Sequence, residues 1–582
     1  MSSSPEPVAS SSSSRLDPPP PAPPKSKISA AVDAVTNHAK HHVGVGIICA
    51  VAYFDPGNWS VDLEAGSRYG YRPMLFVILM AGLGAIVLQL LACRLGVVTG
   101  LDLASHCRLL LYNHPKHPRL VRRLVLYPLY VLAEIAIIST DLAELLGSAI
   151  GLCLLFPKLP LWGGVVITAG DVLFFLAFSD TSGKQSRPAR IFEATIVALV
   201  FAVFGCFVAL IVQVHPKWAD VFLGYIPSKA LFQSAPGAVY SAVGILGATI
   251  MPHALFLGSS LATQDRVSIA PVELELPQSA PPKSFKGRLY ANVKSLFSVR
   301  RADRVAAERD YRSPYGQREN NSYTFIKQHL SHGIVDIVSS LMLIAVPINS
   351  AILILAATVF YKGPGMEHET PGGLFDAHEL ITSHIGKGAG MLFAIALLCA
   401  GQTSSITATL AGQIVSEGFI EWKISPFLRR LVTRLISLIP SVAVAVAVGR
   451  DGINDLLVAS QVVLSVVLPF VAFPLIYLTS SEVVMRVRKP RQIVDADPTL
   501  DDDDQDDGTD LPEDTQYDEN MKGVPVQVQE VVRPARRGIL REIVDYSNGR
   551  WMSWLAYMVW AVVLVANTYA IAMLALEKSD ED

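Results

Sequence analysis

Charge is scarce in this sequence: 17% of its 582 residues are Asp, Glu, Lys or Arg, whereas 51% are hydrophobic. A soluble chain of this length would form roughly three or four domains, each with a surface of ~25–35% charged residues, so a soluble enzyme is excluded at the outset. An excess of either sign is missing too. Forty-eight bases against 51 acids leave a net charge of −3, which gives no basic field for nucleic acid. The six cysteines (Cys49, Cys93, Cys107, Cys153, Cys206, Cys399) are scattered without CxxC or paired spacing, and they read as small core hydrophobes. No HExxH, Walker glycine loop or nucleophile elbow is present; proteolysis and ATP hydrolysis lack their parts, and the chain is not expected to be an enzyme. The first 30 residues lack the basic and apolar regions of a secretory signal, so the first apolar span must itself anchor the chain.

Apolar runs are what the sequence does contain. A hydrocarbon core of ~30 Å takes ~20 apolar residues in a helix, and eleven such spans are expected at 43–66, 73–97, 124–152, 159–179, 191–214, 236–262, 331–361, 386–419, 430–449, 454–480 and 551–576. The fold class is therefore an all-α polytopic membrane protein. Bases crowd alternate connections: Arg94, Arg108, Lys116, Arg119, Arg122 and Arg123 follow the second span; Lys184, Arg187 and Arg190 follow the fourth; twelve bases against six acids lie between Arg266 and Lys327. Lys423, Arg429 and Arg430, then Arg486, Arg488, Lys489 and Arg491, continue the pattern, which places the N-terminus in the cytoplasm. Residues 1–40 are a Ser/Pro-rich tail that cannot bury enough surface to order. The expected organisation is this tail, a first five-helix repeat with the sixth helix (41–262), a basic cytoplasmic loop (263–330), the remainder of a second repeat (331–480), an acidic cytoplasmic loop (481–549) and an eleventh helix with its tail (550–582). Thirteen acids and no base between Asp495 and Glu519 make the acidic loop a self-repelling, solvated linker.

Two spans are interrupted in corresponding places. The first reads VGVGIICAVAYF, meets Asp55, Pro56, Gly57 and Asn58, and resumes as WSVDLEAG; the sixth runs through GILGATI into Met251, Pro252 and His253 and resumes as ALFLGSSLA. The prolines are 196 residues apart, each in the first helix of a five-span half, which points to an inverted-repeat transporter with its site where discontinuous helices meet. Proline lacks an N–H and crowds the carbonyl four residues earlier, so Pro56 frees the carbonyl of Ala52 and Pro252 that of Ala248. In hydrocarbon such orphans are tolerated only where they line a cavity or bind something positive. With the Asp55 carboxylate, the Asn58 amide and the Met251 thioether they make a cation site. A thioether contributes little to calcium or magnesium, so Met251 favours manganese(II) or iron(II). In the third span Glu134, Asp141 and Glu144 fall within ~80° of one another on the helix. Three central charges oppose insertion by roughly 9 kcal/mol unless they face the protein interior or water. They suit either a proton route, together with His253, or a structural network with Arg434 and other interior bases.

The strings DPGNW (Asp55–Trp59), MPH (Met251–His253), TDLAELLG (Thr140–Gly147) and GQTSSITATLAGQIVSEGF (Gly401–Phe419) resemble the natural resistance-associated macrophage protein (Nramp) family of proton-coupled divalent-metal transporters, over about residues 40–480 and the last span. The resemblance implies a leucine-transporter-like fold of two inverted five-helix halves plus an eleventh helix. It implies metal ligands at Asp55, Asn58, Met251, the carbonyls of Ala52 and Ala248, and Gln461, which residue pattern alone leaves as a helix-packing amide. It also implies proton carriers at Asp55, His253, Glu134, Asp141 and Glu144. Family members specialised for magnesium or aluminium lack the thioether that Met251 supplies here.

The expected function is import of manganese(II), iron(II) or a similar divalent transition metal with protons, by alternating access; the metal is cargo and no cofactor is expected. The alternative is a metal-binding sensor or receptor that keeps the transporter fold. Partners are metal ions, protons and the lipid bilayer, with no nucleic acid and a monomer as the default state. A plasma membrane and a vacuolar or endosomal membrane fit equally.

Overall fold

The computed structural model describes residues 45–178, 187–229, 237–264, 320–361, 373–421, 426–489 and 543–581. The Ser/Pro tail, nearly all of the basic connection and the acidic stretch lie outside these residues. Each of the eleven expected spans is helical, and seven of the described helices are long and apolar enough to cross a bilayer on length and composition alone.

The first span is two half-helices, α1 (Val45–Val51) and α2 (Pro56–Tyr69). Then come α3 (Met74–Thr99), a short α4 (Leu103–Leu111), α5 (Tyr127–Leu155), α6 (Leu161–Phe178) and α7 (Arg187–Val214). The sixth span is again split, into α8 (Gly237–Thr249) and α9 (Pro252–Leu261). The seventh is α10 (Tyr323–Ser340) and α11 (Val346–Val359), joined by a π-helical turn at Leu341–Ala345. After a short α12 (Leu374–His384) the chain closes with α13 (Lys387–Ile420), α14 (Pro426–Ala447), α15 (Arg450–Ser480) and α16 (Arg550–Glu581). The short α4 and α12, each too brief to span, add structure to connections read from sequence as loops. The π turn before α11 has a local cause: Pro347 has no N–H to give, so the helix widens by a residue just before it. A second π turn, Arg122–Leu126, precedes Pro128 in the same way.

The broken helices sit crosswise, α8 packing on α2 and α9 on α1, so the two interruptions face each other. The most extensive packing in the molecule joins α5 to α13, and it is close: a Cβ at Gly401 would come 2.9 Å from the Ser148 backbone nitrogen. Trp59, fully buried on α2, meets Phe207 edge-on at 4.8 Å and Phe393 at 5.6 Å, fixing α2 against α7 and α13.

Two expectations change. Arg94, read from sequence as part of the basic connection, lies inside α3 and donates to the carbonyl of Ser547 and the side chain of Asn548 just ahead of α16. The ends of the acidic 481–549 segment are structured: β1 (Arg486–Arg488) and β2 (Ile543–Asp545) pair antiparallel, Val487 opposite Val544. Val487 is buried and Arg486 lies opposite Asp545, a pattern that single-face burial and cross-strand charge pairing favour.

Candidate functional site

At the first break, α1 ends in tight turns, with N–H groups of Ala52, Tyr53 and Phe54 bonded to the carbonyls of Cys49, Ala50 and Val51. Asp55 is extended (φ −68°, ψ 165°), and Pro56 opens α2 where a missing N–H costs nothing. One Asp55 oxygen accepts the Asn58 N–H at 2.9 Å, an N-cap bond that starts α2. The Asn58 amide donates to the Tyr53 carbonyl at 2.8 Å, as does Asn349 from α11 at 2.7 Å, and the Trp59 indole donates to the Phe54 carbonyl. Among the described residues no backbone N–H group reaches the carbonyl of Ala52, just before them.

At the second break the N-cap of α9 is Met251, which makes no side-chain cap bond. A thioether is a poor substitute for the usual Ser, Thr, Asp or Asn, so capping does not explain its place. The Ala248 carbonyl likewise receives no N–H among the described residues. His253 is buried, and its Nδ1 lies 3.2 Å from Thr140 Oγ1 on α5. Thr140 donates its own proton to the Ala136 carbonyl at 3.0 Å. It therefore accepts from His253 Nδ1–H, leaving Nε2 as the basic nitrogen, with no hydrogen-bond partner among the described residues.

Gln461 of α15 comes to the first break. A Cβ on Gly57 would collide with its amide, so only glycine permits this approach, and the amide stands beside the Asp55 carboxylate. Asp55, Asn58, Met251, His253 and Gln461 are all buried. Asp55 Oδ2, Asn58 Oδ1 and Gln461 Oε1 engage no hydrogen-bond donor, and Asp55 forms no ion pair among the described residues. Buried acceptors in such number, with a carboxylate among them, are costly unless something positive joins them. Among the described residues no group of three or more His, Cys, Asp or Glu side chains is arranged to hold a metal; the oxygens at the breaks are amide, carbonyl and single carboxylate.

The three acids of α5 face the interior, each engaged. Glu134 takes Arg429 Nη2 at 2.9 Å on both oxygens, Arg434 Nη1 lies 3.4 Å from Asp141, and Glu144 accepts from Ser404 at 2.5 Å. Arg434 also donates to Ser405. The network with Arg434 that the sequence allowed is present, and α5 links it to both breaks: Thr140 touches His253, and Gly147 abuts the Pro56 ring.

Sequence reasoning passed over Tyr53, Asn349, Thr140, Ser404 and Ser405, whose roles depend on partners up to hundreds of residues away. It also missed Asp62, a second buried carboxylate seven residues beyond Asp55 along α2, close enough for the two charges to repel. Its seven-residue spacing from Asp55, two helical turns, was the available signal.

Residues 46–496 match the natural resistance-associated macrophage protein-like family (Nramp). The iron transporter SMF3 of Saccharomyces cerevisiae is 36% identical over 91% of this chain and 95% of its own length. The manganese transporter pdt1 of Schizosaccharomyces pombe is 41% identical over 76% of each chain. The crystal structure of the Eremococcus coleocola manganese transporter in complex with an aromatic bis-isothiourea substituted compound superposes with a TM-score of 0.64, at 27% identity, over 94% of this chain and 88% of that one. With two broken helices crossed at their interruptions and the family matched over most of its length, the chain belongs to the Nramp family of integral membrane transport proteins, and it is not an enzyme.

Proposed function

We propose that this chain imports manganese(II) or iron(II) into the cytoplasm together with protons, by exposing a mid-membrane site alternately to the two faces. The observation that carries the reading is the set of buried acceptors without donors where the breaks face each other: Asp55 Oδ2, Asn58 Oδ1, Gln461 Oε1 and the carbonyls of Ala52 and Ala248. A dehydrated divalent ion satisfies all of them at once. The Met251 sulfur completes a mixed oxygen and thioether set, which suits a transition metal better than calcium or magnesium. The names of the relatives, iron and manganese transporters, support the same cargo.

Protons leave by a separate line. His253 Nε2 is a base beside Met251, and Thr140 joins it to the α5 acids Asp141, Glu144 and Glu134. A carboxylate paired to arginine, as Asp141 is to Arg434 and Glu134 to Arg429, passes a proton on when the ion pair rearranges. Bases in alternate connections support a cytoplasmic N-terminus, and the first five spans and the next five, the sixth to the tenth, are read as the inverted halves.

Radiomanganese flux into proteoliposomes under an imposed pH gradient tests this. The expected result is uptake that rises when the outside is acidic and that acidifies the lumen. Metal binding without flux would instead make the chain a sensor on a transporter fold, and flux indifferent to the gradient would remove the proton half of the proposal.

A further inference from the structure

The entrance to α5 carries a surface that transport does not use. Leu120, Leu124, Tyr127, Val131 and Ile135 are exposed, between 39% and 66%, at successive spacings of four, three, four and four residues, so they form one apolar stripe along the helix. In a membrane protein that stripe faces hydrocarbon. It extends about 22 Å from Leu120 to Ile135 at 1.5 Å per residue, most of a ~30 Å core, so the residues just before Leu120 meet the headgroups. Arg94, near the end of α3 that leads into this connection, reaches Ser547 and Asn548 just ahead of α16, and there Trp551 and Trp554 are 85% and 62% exposed, the kind of aromatic residue that settles at that boundary.

At the end of the stripe stand Lys116 and Arg119, and Arg123 lies within its first turn, where a long side chain reaches back to the headgroups; all three are exposed and without an ion pair among the described residues. No acid occurs between Asp102 and Glu134, and Glu134 is already held by Arg429. The loop beneath them is firm. Arg122 lies 3.6 Å over the Tyr112 ring and donates twice to the Tyr112 carbonyl; Arg108 lies 4.3 Å from the same ring, pairs with Glu421 and donates to the Phe419 carbonyl. Two arginines of the segment therefore fasten it, and three bases are left facing outward at headgroup level.

We propose that Lys116, Arg119 and Arg123 bind the headgroup of an anionic phospholipid whose acyl chains lie along the α5 stripe. Arg119 and Arg123 stand about one helical turn apart, and guanidinium groups take phosphate oxygens two at a time. The proposal depends on the chain spanning a bilayer and not on which ion it carries.

The test is native mass spectrometry of the full-length protein released from nanodiscs of phosphatidylcholine with a minor share of phosphatidylserine. Wild-type protein and Lys217→Gln, an exposed base on the other face, should both retain phosphatidylserine over phosphatidylcholine. In Arg119→Gln with Arg123→Gln the preference should fall about fivefold per arginine removed, with metal uptake in neutral-lipid vesicles unchanged. A double variant that keeps the wild-type preference, or a wild-type protein that shows none, overturns the proposal.

Discussion

The two breaks use one backbone device with opposite means of support. At the first, side chains of the break itself do most of the work: Asp55 caps α2, Asn58 reaches back to the Tyr53 carbonyl, where Asn349 of α11 joins it, and Trp59 holds the carbonyl of Phe54. At the second, Met251 makes no side-chain cap bond, and among the described residues the side-chain hydrogen bond of the MPH stretch is from His253 to Thr140 on another helix. The first is thus an oxygen-rich half that is held in shape before an ion arrives, and the second is a soft, basic half that depends on α5. The largest effect should come from the first. Asp55→Ala removes both charge and cap, whereas Asp55→Asn keeps an acceptor for the Asn58 N–H. Both should lower manganese uptake at least a hundredfold, and only the alanine variant should also lose ~1 kcal/mol of stability in thermal unfolding. Wild-type uptake by the asparagine variant would show that the carboxylate charge does not bind the ion.

Next in size is Gly57→Ala. Its methyl would occupy the place of the Gln461 amide, so α2 must shift from α15 or Gln461 must turn away. Uptake should drop on the order of tenfold. The comparison is sharpened by Gly244→Ala on α8, whose methyl would meet only Val61 Cγ1, at 3.3 Å; that variant should stay within a few-fold of wild type. Equal losses in the two variants would mean that Gln461 holds no special place.

Sequence carried the backbone of this account further than its support. Eleven apolar runs, two prolines 196 residues apart and the polar residues beside them were enough to place the spans and the breaks, because proline and hydrocarbon each impose a constraint that shows in a single stretch of chain. What was hidden is every contact between distant stretches. Gln461 looked like a packing amide because its meaning lies in Gly57, some four hundred residues away. Glu134, Asp141 and Glu144 could be placed on one helical face, but nothing local says that Arg429, Arg434 and Ser404 complete them. The π turns and the paired strands at the ends of the acidic segment escaped as well; the strands are three residues long and exist only through each other.

The soft half gives the third test. Met251→Ala should weaken manganese transport severalfold and lose discrimination against calcium by more than that, measured as calcium inhibition of radiomanganese uptake. Met251→Leu nearly preserves volume and removes the sulfur, so it should match the alanine variant in selectivity while unfolding at a higher temperature. If leucine keeps calcium out as well as methionine does, the shape of the second break sets selectivity and its sulfur does not.

The smallest effect concerns the tie between the second break and α5. Thr140→Val keeps the shape of the side chain and deletes the hydroxyl, leaving the buried His253 Nδ1–H without an acceptor at a cost of about 1–3 kcal/mol. His253 is then free to turn, and the basic Nε2 no longer has a fixed direction. Uptake should fall a few-fold with its dependence on external pH flattened, while the manganese KM stays near wild type because the oxygens of the first break are untouched. Thr140→Ser restores the hydroxyl and should restore the pH profile. A changed KM with an intact pH profile would move Thr140 from the proton line to the metal site, and the two breaks would then share one support.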